Sequence, residues 1–562
     1  MRSFEAHIQR RVETLDGLWE FTFLGDVDPD KVDLSQLEFS DRMAVPGCFD
    51  ASPKYAGKRG LAAYRTSFTL SDPVLHRIVF NSIHHWCRVY ANGRNLCDHA
   101  GGFTRFHVDL PDLEAGEVAL VVLVDNRFDL ERCPLHMAHF DWYQYGGISR
   151  PVELHRLGEL WIESVRAVTE SIDPPALRLT VQYQALAARN KDFQICVDGK
   201  TAYHEIIDVK AGVGHIERQV ELPDASLWSP DEPNLHLVEV KLGEDDFRAR
   251  VGLRQVKVSG RRILINEHPV HFLGFNRHEA HPEFGHALPD SIILSDVQQL
   301  RDMGCNFVRG SHYPQDERFL ELCDEAGICV WEEVTGWQQT AQHLTNDRFI
   351  AAQLKNLDEM VAMAQIHPSV VFYGILNESE SQDPASRRTY ARLLGHLREL
   401  DPTRPVTFAT HHVFEDLCLD MVDIISVNCY PGWYQKEIED IPNYLDQVIQ
   451  HLDSIGSGNK PLIISEIGAA AVPGWRDWNE DRWSEQYQAR LLETVIRHLF
   501  IDRDRFAGLG IWQFCDMRTA GGLPRMLTRA RGFNNKGVLD EYRRPKMAYE
   551  VVRKLFREIL NR

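Results

Sequence analysis

The first part of the chain alternates apolar and polar side chains with the period of two that marks β-strands. In the string WEFTF, which begins at Trp19, aromatic residues occupy every second position and polar residues lie between them. Further along, the string RVYA runs into Asn92-Gly93, and apolar alternation around an Asn-Gly pair indicates a β-hairpin. We therefore predict an all-β module over residues 1–155.

The next stretch, residues 156–256, continues the theme with short strands separated by turn residues. Its apolar strings are LRLTVQYQAL, FQICVDG and LHLVEVKL. Their spacing is typical of a small β-sandwich, so the sequence predicts a second all-β module before the pattern changes.

From residue 257 onward, apolar strands alternate with amphipathic helices. Residues 291–303 have a helical period and stop at Gly304, and residues 317–326 do the same and stop at Gly327. The candidate strands of this region are VHFLGF, CNFVR, ICVWEE, VVFYGIL, VTFAT, DIISVN, PLIISE and GLGIWQF. Eight strands with helices between them over residues 257–562 predict a (β/α)8 barrel, although counting alone leaves a doubly wound sheet open.

The net charge of the chain limits the kinds of molecule that it is expected to bind. The chain has 62 basic and 82 acidic side chains, for a net charge of −20. Nucleic acid and anionic membrane surfaces repel a body of that sign, so we expect neither as a partner. Apolar runs such as residues 118–124 are also far shorter than the ~20 residues of a membrane helix.

The amino terminus and the cysteines point to a reducing compartment. The first residues, MRSFEAHIQRRVETLDG, contain no apolar stretch of the secretory type, so we expect a cytoplasmic protein. Eleven cysteines are scattered and never occur in C-x-x-C spacing, which favours buried thiols over disulfides or a zinc site.

Two candidate barrel strands end in carboxylates. Strand VVFYGIL runs into Asn377-Glu378, and strand PLIIS runs into Glu466. One such residue could simply complement the dipole of the following helix. Two carboxylates about 5–5.5 Å apart over one barrel mouth could instead cleave a glycosidic bond with retention, one as nucleophile and one as proton donor. The ionised nucleophile is then expected to raise the pKa of the donor.

Six strings extend this hypothesis into a family resemblance: GFNRHEAHP, VRGSHYP, YGILNES, SVNCYPGWY, IISEIG and GIWQF. Their order and spacing resemble glycoside hydrolase family two, whose members include β-glucuronidases and β-galactosidases. The likeness also covers LWSPDEPNLHLVEV, GGFTRF and DWYQYGGISRPV, and hence nearly the whole chain. It implies a jelly-roll sugar-binding domain, an immunoglobulin-like sandwich and a catalytic TIM barrel.

The resemblance also implies roles for individual residues. Glu378 would be the general acid/base, Glu466 the nucleophile, and Asn377 would hold the sugar hydroxyl beside the anomeric carbon. Arg309 and Tyr430 would bind the Glu466 carboxylate, which favours its ionised form. The residues expected to line the sugar pocket are His278, His312, Tyr434 and Trp512.

Two of these residues have other interpretations. His278 and His281 form an H-x-x-H pair that could bind a metal, but the flanking residues do not match H-E-x-x-H, so we expect no metal. Trp512 at a strand end could be a core residue. No cofactor is expected, because water and two carboxylates suffice for the reaction.

The carboxyl-terminal string RGFNNKGVLDEYRRPKMAY bears on the substrate. The family resemblance implies that Asn534 and Lys536 recognise a uronate carboxylate and that Asp141 reaches a sugar hydroxyl. Two departures leave the sugar open: Ile467 stands where many glucuronidases have tyrosine, and extra cations occur at Arg525, Arg529 and Arg531. These arginines could bind the inverted 4-hydroxyl of a galacturonide.

We therefore expect a retaining hydrolase of terminal β-D-glucuronides, with a β-galacturonidase or dual-specificity enzyme as the alternative and a β-galactosidase after that. A recognition module without activity is a competing class, which the presence of both Glu378 and Glu466 disfavours. The resemblance also implies a homodimer or homotetramer.

Overall fold

The computed structural model describes residues 4–110, 114–129, 141–520 and 528–561. The first module consists of short antiparallel strands around a core that includes Trp19, Phe21 and Tyr64. A six-stranded sheet has the order β3-β2-β5-β11-β8-β9, a four-stranded sheet the order β1-β13-β6-β10, and a small sheet the order β4-β12-β7. Its strands are β1 Val12–Thr14, β2 Gly17–Gly25, β3 Asp41–Val45, β4 Gly47–Cys48, β5 Leu61–Leu70, β6 His76–Phe80, β7 Ile83–His84, β8 Trp86–Ala91, β9 Arg94–Ala100, β10 Phe106–Leu110, β11 Gly116–Asp125, β12 Gly147–Ile148 and β13 Val152–Arg156.

The second module packs two antiparallel sheets face to face, in the orders β14-β15-β18 and β17-β16-β19-β20. Strict inward alternation along β15 buries Leu177, Leu179 and Val181 between the sheets. The strands are β14 Leu160–Ile172, β15 Pro175–Ala185, β16 Arg189–Val197, β17 Lys200–Val209, β18 Gly212–Glu221, β19 His236–Leu242 and β20 Asp245–Val251. A small sheet, β21 Val256–Ser259, β22 Arg262–Ile265 and β23 His268–Pro269, leads into the barrel.

The third module is a closed barrel of eight parallel strands in sequence order. All eight predicted strings form these strands: β24 Phe272–Arg277, β25 Phe307–Gly310, β26 Cys329–Glu333, β27 Val370–Ile375, β28 Val406–Thr410, β29 Ile425–Asn428, β30 Leu462–Ile467 and β31 Gly508–Ile511. Two short strands follow, β32 Met517–Arg518 and β33 Phe533–Asn534. Closure excludes the doubly wound sheet and confirms the predicted fold class.

Helices surround the barrel and bury one apolar stripe each against it. They are α1 Asp290–Asp302, α2 Glu317–Ala326, α3 Ala341–Leu344, α4 Asp347–Ala364, α5 Arg387–Leu400, α6 Ile441–Ser454, α7 Glu485–Phe500 and α8 Met547–Leu560. Gly327 caps α2 in the left-handed conformation, as its position after the helical pattern predicts. Within the described ranges, no helix combines the length and apolarity that a bilayer crossing requires. The residue boundaries between the three modules stay a prediction.

The first module is bound to the barrel mouth by buried polar and aromatic contacts. Arg150, which is 3% exposed, donates to the Phe103 carbonyl at 2.9 Å and to Glu279 of the barrel at 2.8 Å. The ring of Phe103 stacks on Tyr313 with centroids 3.7 Å apart. Loss of one partner of a buried ion pair strongly destabilises a protein. The pair between Arg150 and Glu279 therefore holds the segment that begins at Asp141 over the carboxyl ends of the barrel strands.

The barrel strands pack so closely at Gly274 that a larger side chain there should destabilise the fold. A Cβ atom added at Gly274 of β24 would lie 1.6 Å from the Phe307 carbonyl oxygen, which is backbone and cannot rotate away. We expect Gly274→Ala to abolish soluble folding or to lower the thermal midpoint sharply. The matched control is Gly395→Ala in α5, where a Cβ meets nothing within 4 Å and alanine should stabilise the helix by about 0.5–1 kcal/mol. Differential scanning calorimetry of both variants tests this, and a Gly274→Ala midpoint equal to that of wild type would contradict it.

Candidate active site

Two carboxylates lie at the carboxyl ends of two barrel strands and face one cavity of about 580 Å³. Glu466 is part of β30, and Glu378 follows β27 with a φ of 48°, a left-handed conformation that is uncommon outside glycine. A strained backbone of this kind persists when the surroundings hold it, and the Glu378 amide donates to the Ala409 carbonyl at 2.9 Å. The two residues therefore occupy fixed positions at the mouth of the barrel.

The Glu466 carboxylate is held by two donors. Arg309 Nη1 donates to Oε1 at 2.8 Å, and the Tyr430 hydroxyl donates to Oε2 at 2.7 Å. Burial nevertheless raises the pKa of Glu466 to about 8, and the charge of Glu378 adds to that rise, while Arg309 and Tyr430 lower it. Desolvation of the carboxylate is therefore a larger effect here than its two hydrogen bonds.

The sequence predicts a raised pKa for the proton donor, and the structure shows that burial raises the pKa of the predicted nucleophile, Glu466. The side chain of Glu466 is 4% exposed and that of Glu378 is 13% exposed, so Glu466 loses more hydration.

Arg309 connects the two carboxylates through a buried network. Its Nη2 donates to Asn377 Oδ1 at 2.7 Å, and Asn428 Nδ2 donates to both Asn377 Oδ1 and Glu378 Oε1 at 3.0 Å. Asn377 and Arg309 are fully buried and do not line the cavity. Side chains from four strand ends are thereby fixed relative to one another.

Glu333 is a buried carboxylate that the sequence analysis did not identify. It accepts two hydrogen bonds from Arg309, both at 3.0 Å, and its Oε1 lies 2.7 Å from His312 Nδ1. Burial raises the pKa of Glu333 to about 7, against the lowering effect of Arg309. A signal was present, since Glu333 ends strand ICVWEE in the same way that Glu466 ends PLIISE.

Aromatic rings form one wall of the cavity. The ring of Trp512 stacks on His312 with centroids 5.3 Å apart, and His278 meets the edge of Trp512 at 5.5 Å. Burial lowers the pKa of both His278 and His312 well below the usual value, which keeps the two imidazoles neutral. His278 contacts the Tyr313 hydroxyl, whereas His281 packs on Phe284 and Tyr542.

One part of the cavity lining is cationic. Lys536 Nζ donates to the Tyr434 hydroxyl at 2.8 Å, and Arg529 donates to the same hydroxyl at 3.3 Å. Burial raises the pKa of Tyr434, but Lys536 and Arg529 outweigh burial and bring it below its ordinary value. Arg529 also forms a bidentate pair with Asp141, in which Nε donates to Oδ1 at 3.2 Å and Nη2 donates to Oδ2 at 3.0 Å.

The other two arginines named from the sequence are Arg531 and Arg525. Arg531 pairs with Glu541 at 2.8 Å and does not line the cavity, and Arg525 is outside the described residues. Asn534 is fully buried, and its side-chain amide has no hydrogen-bond partner within the described ranges.

Eight of the predicted site residues line this cavity: Asp141, His312, Glu378, Tyr430, Tyr434, Glu466, Trp512 and Lys536. The other four, His278, Arg309, Asn377 and Asn534, are buried and do not line it. Sequence analysis missed several lining residues, namely Trp142, Trp337, Gln338, His411, Trp433, Arg482 and Trp483. Gln338 donates to Glu378 Oε2 at 3.1 Å, and His411 lies 4.0 Å from the same oxygen.

Comparison with known proteins agrees with this arrangement. Residues 256–561 match the family described as glycosyl hydrolases family 2, TIM barrel domain. A β-glucuronidase of Sus scrofa is 30% identical over 90% of this chain and 81% of its own length. The solved GH2 β-galacturonidase of Eisenbergiella tayi bound to galacturonate is 33% identical, covers 99% of each chain and has a TM-score of 0.92. A solved β-glucuronidase of Faecalibacterium prausnitzii is 26% identical, covers 100% of this chain and 99% of its own, and has a TM-score of 0.88. The chain belongs to glycosyl hydrolase family 2 and is a glycosidase.

Proposed function

We propose that this protein hydrolyses terminal β-D-glucuronides with retention of configuration. One observation carries the proposal: a single cavity is lined both by the carboxylates Glu378 and Glu466 and by the cations Lys536 and Arg529. The carboxylates supply the chemistry of a retaining glycosidase. The cations suit the carboxylate of a uronic acid.

The reaction begins with attack by a Glu466 oxygen on the anomeric carbon. As that bond forms, Glu378 transfers a proton to the glycosidic oxygen, the bond between carbon and oxygen breaks, and the alcohol leaves. Glu378 then takes a proton from water, whose oxygen displaces Glu466 and releases the uronic acid. This cycle requires Glu466 to be ionised and Glu378 to carry the proton at its start.

Recognition of the uronate depends on Lys536 in this proposal. Its ammonium lies over the rings of Tyr434, Tyr430 and Trp433, at 4.8, 5.6 and 5.8 Å from their centroids, and the residue is 2% exposed. A charge-assisted hydrogen bond there contributes about 1.5–3 kcal/mol, which corresponds to roughly tenfold to a hundredfold discrimination against a neutral hexoside.

A β-galacturonide is the second candidate, and Arg529 is the observation that favours it. Arg529 joins Asp141 and Tyr434 in the cationic part of the lining, which places donors and acceptors side by side for a 4-hydroxyl in either orientation. The Eisenbergiella tayi relative bound to galacturonate supports this candidate as well. A β-galactoside is less suited, because its neutral C6 hydroxyl offers Lys536 no anionic ligand, whereas Arg529 already pairs with Asp141. The homodimer or homotetramer and the cytoplasmic location stay predictions of the sequence.

The two carboxylates are tested by amide substitution. We expect Glu378→Gln to lower kcat about 10²–10⁴-fold with an unactivated β-uronide, because proton donation is lost. Glu466→Gln should remove turnover almost entirely, since no covalent bond to the sugar can form. Azide should restore turnover to the Glu378 variant with an aryl uronide but not to the Glu466 variant.

Glu437→Gln serves as the matched control, because Glu437 is exposed and does not line the cavity. Circular dichroism should show native folding in all three variants. Near-normal turnover in either catalytic-site variant rejects the assignment.

The hydroxyl of Tyr430 provides a test by pH. That hydroxyl lowers the pKa of Glu466. Its removal in Tyr430→Phe should therefore raise the pKa of Glu466 above its wild-type value. Attack requires ionised Glu466, so activity rises as pH increases through this pKa, and the acidic limb of the kcat/KM profile should move to higher pH in the variant. A limb that stays in place, or moves to lower pH, contradicts the proposed role of Tyr430.

Lys536 is tested by comparing substrates. Lys536→Ala should lower kcat/KM for the aryl β-uronide about tenfold to a hundredfold, while the slower hydrolysis of the matching neutral β-hexoside should hardly change. Running the gluco and galacto epimers of both substrates ranks the two candidate functions. Equal proportional losses on uronide and hexoside would show that Lys536 is only structural.

A further inference from the structure

A second lysine, Lys546, lies buried behind the segment that carries Asn534 and Lys536. Its ammonium donates to Asp516 Oδ1 at 2.8 Å, to the Ala471 carbonyl at 2.8 Å and to the Asn535 carbonyl at 3.0 Å. An ammonium has three N–H donors, and these three acceptors use all of them. The side chain is 1% exposed and does not line the cavity. Lys546 is therefore placed to hold protein groups rather than substrate.

Asp516 continues this buried cluster. Its Oδ2 accepts from Asn535 Nδ2 at 3.0 Å, and its Oδ1 accepts from the Gly537 amide at 2.9 Å. The Ala471 amide donates to the Asn535 carbonyl at 2.9 Å. The cluster thus joins the 534–537 segment to the chain after β31 and to the loop after β30.

Asn535 and Lys536 point to opposite sides of their segment. Asn535 is bound by the cluster, whereas Lys536 extends into the cavity and donates to Tyr434. The Lys536 carbonyl accepts from the Gln513 amide at 3.0 Å, so the backbone on the cavity side is also fixed. Because Asn535 and Lys536 are adjacent residues of one turn that directly follows β33, a shift at Asn535 moves Lys536 with it.

We infer that Lys546 and Asp516 are positioning residues for substrate selectivity, which set the place of Lys536 in the cavity without touching the sugar. This inference rests on the proposed uronidase function. Taking two charges out of water is unfavourable unless every donor and acceptor is satisfied, as it is for this pair. A charge-assisted contact also loses strength steeply with distance and angle, so a small displacement of Lys536 lowers uronate affinity.

The test compares Lys546→Met with wild type on an aryl β-uronide and on the matching neutral β-hexoside. We expect KM for the uronide to rise at least about tenfold, with kcat/KM for the hexoside within about twofold of wild type, so that selectivity falls. Lys460→Met is the matched control. Lys460 also donates to three carbonyls, those of Leu419, Asp420 and Val422, but it precedes β30 at the opposite end of the barrel. Its loss should lower the thermal midpoint and leave selectivity unchanged.

A second variant, Asn535→Ala, keeps the ion pair between Lys546 and Asp516. It removes only the hydrogen bond from the Asn535 side chain to Asp516. It should reproduce the loss of uronide selectivity even if Lys546→Met fails to fold. Wild-type preference for uronide over hexoside tests the proposed function, whereas the ratio of variant to wild-type selectivity tests this inference. Unchanged selectivity in Asn535→Ala, or proportional loss on both substrates, overturns the positioning role while leaving a uronide-selective wild type intact.

Discussion

The site depends on one buried guanidinium. Arg309 is fully buried and contacts Glu466, Glu333 and Asn377, which come from three other strand ends of the barrel. A buried cation destabilises the protein unless its N–H donors are hydrogen-bonded. The fold therefore requires each of these three acceptors at its position. Because the guanidinium is rigid and planar, it fixes the orientations of the Glu466 and Glu333 carboxylates. The same interaction stabilises the centre of the barrel mouth and orients the groups that carry the chemistry.

Sharing one cation between two carboxylates also explains the titration behaviour. Glu466 and Glu333 divide the charge of Arg309, and burial raises the pKa of each, to about 8 and about 7. Neither carboxylate is compensated as fully as a single partner of an arginine would be. The nucleophile proposed here is therefore ionised only in part near neutral pH, and its hydrogen bonds from Arg309 and Tyr430 increase the ionised fraction against the effect of burial. This makes Tyr430 a contributor to the pH dependence as well as to the position of Glu466.

The cavity is completed by parts of the chain that are far apart. Asp141 of the first module meets Arg529 near the carboxyl terminus, 388 positions along the sequence. Arg150 holds the first module against the barrel through Glu279, and the Lys546–Asp516 pair holds the segment that presents Lys536. Substrate selectivity consequently depends on how modules and loops pack, whereas the carboxylate pair belongs to the barrel strands alone.

The sequence by itself determined the eight strands of the third module and the two carboxylates at their ends, while closure into a barrel was decided by the tertiary structure. Strands buried on both faces must be continuously apolar, so all eight were visible, and strand polarity places Glu378 and Glu466 at the same end. Tertiary structure alone decided that Glu333 shares Arg309, that Arg529 rather than Arg531 enters the cavity, and that burial raises the pKa of Glu466. These outcomes depend on desolvation and on contacts between residues distant in sequence. Local periodicity reports which face of an element is buried and contains no information on which charges meet there.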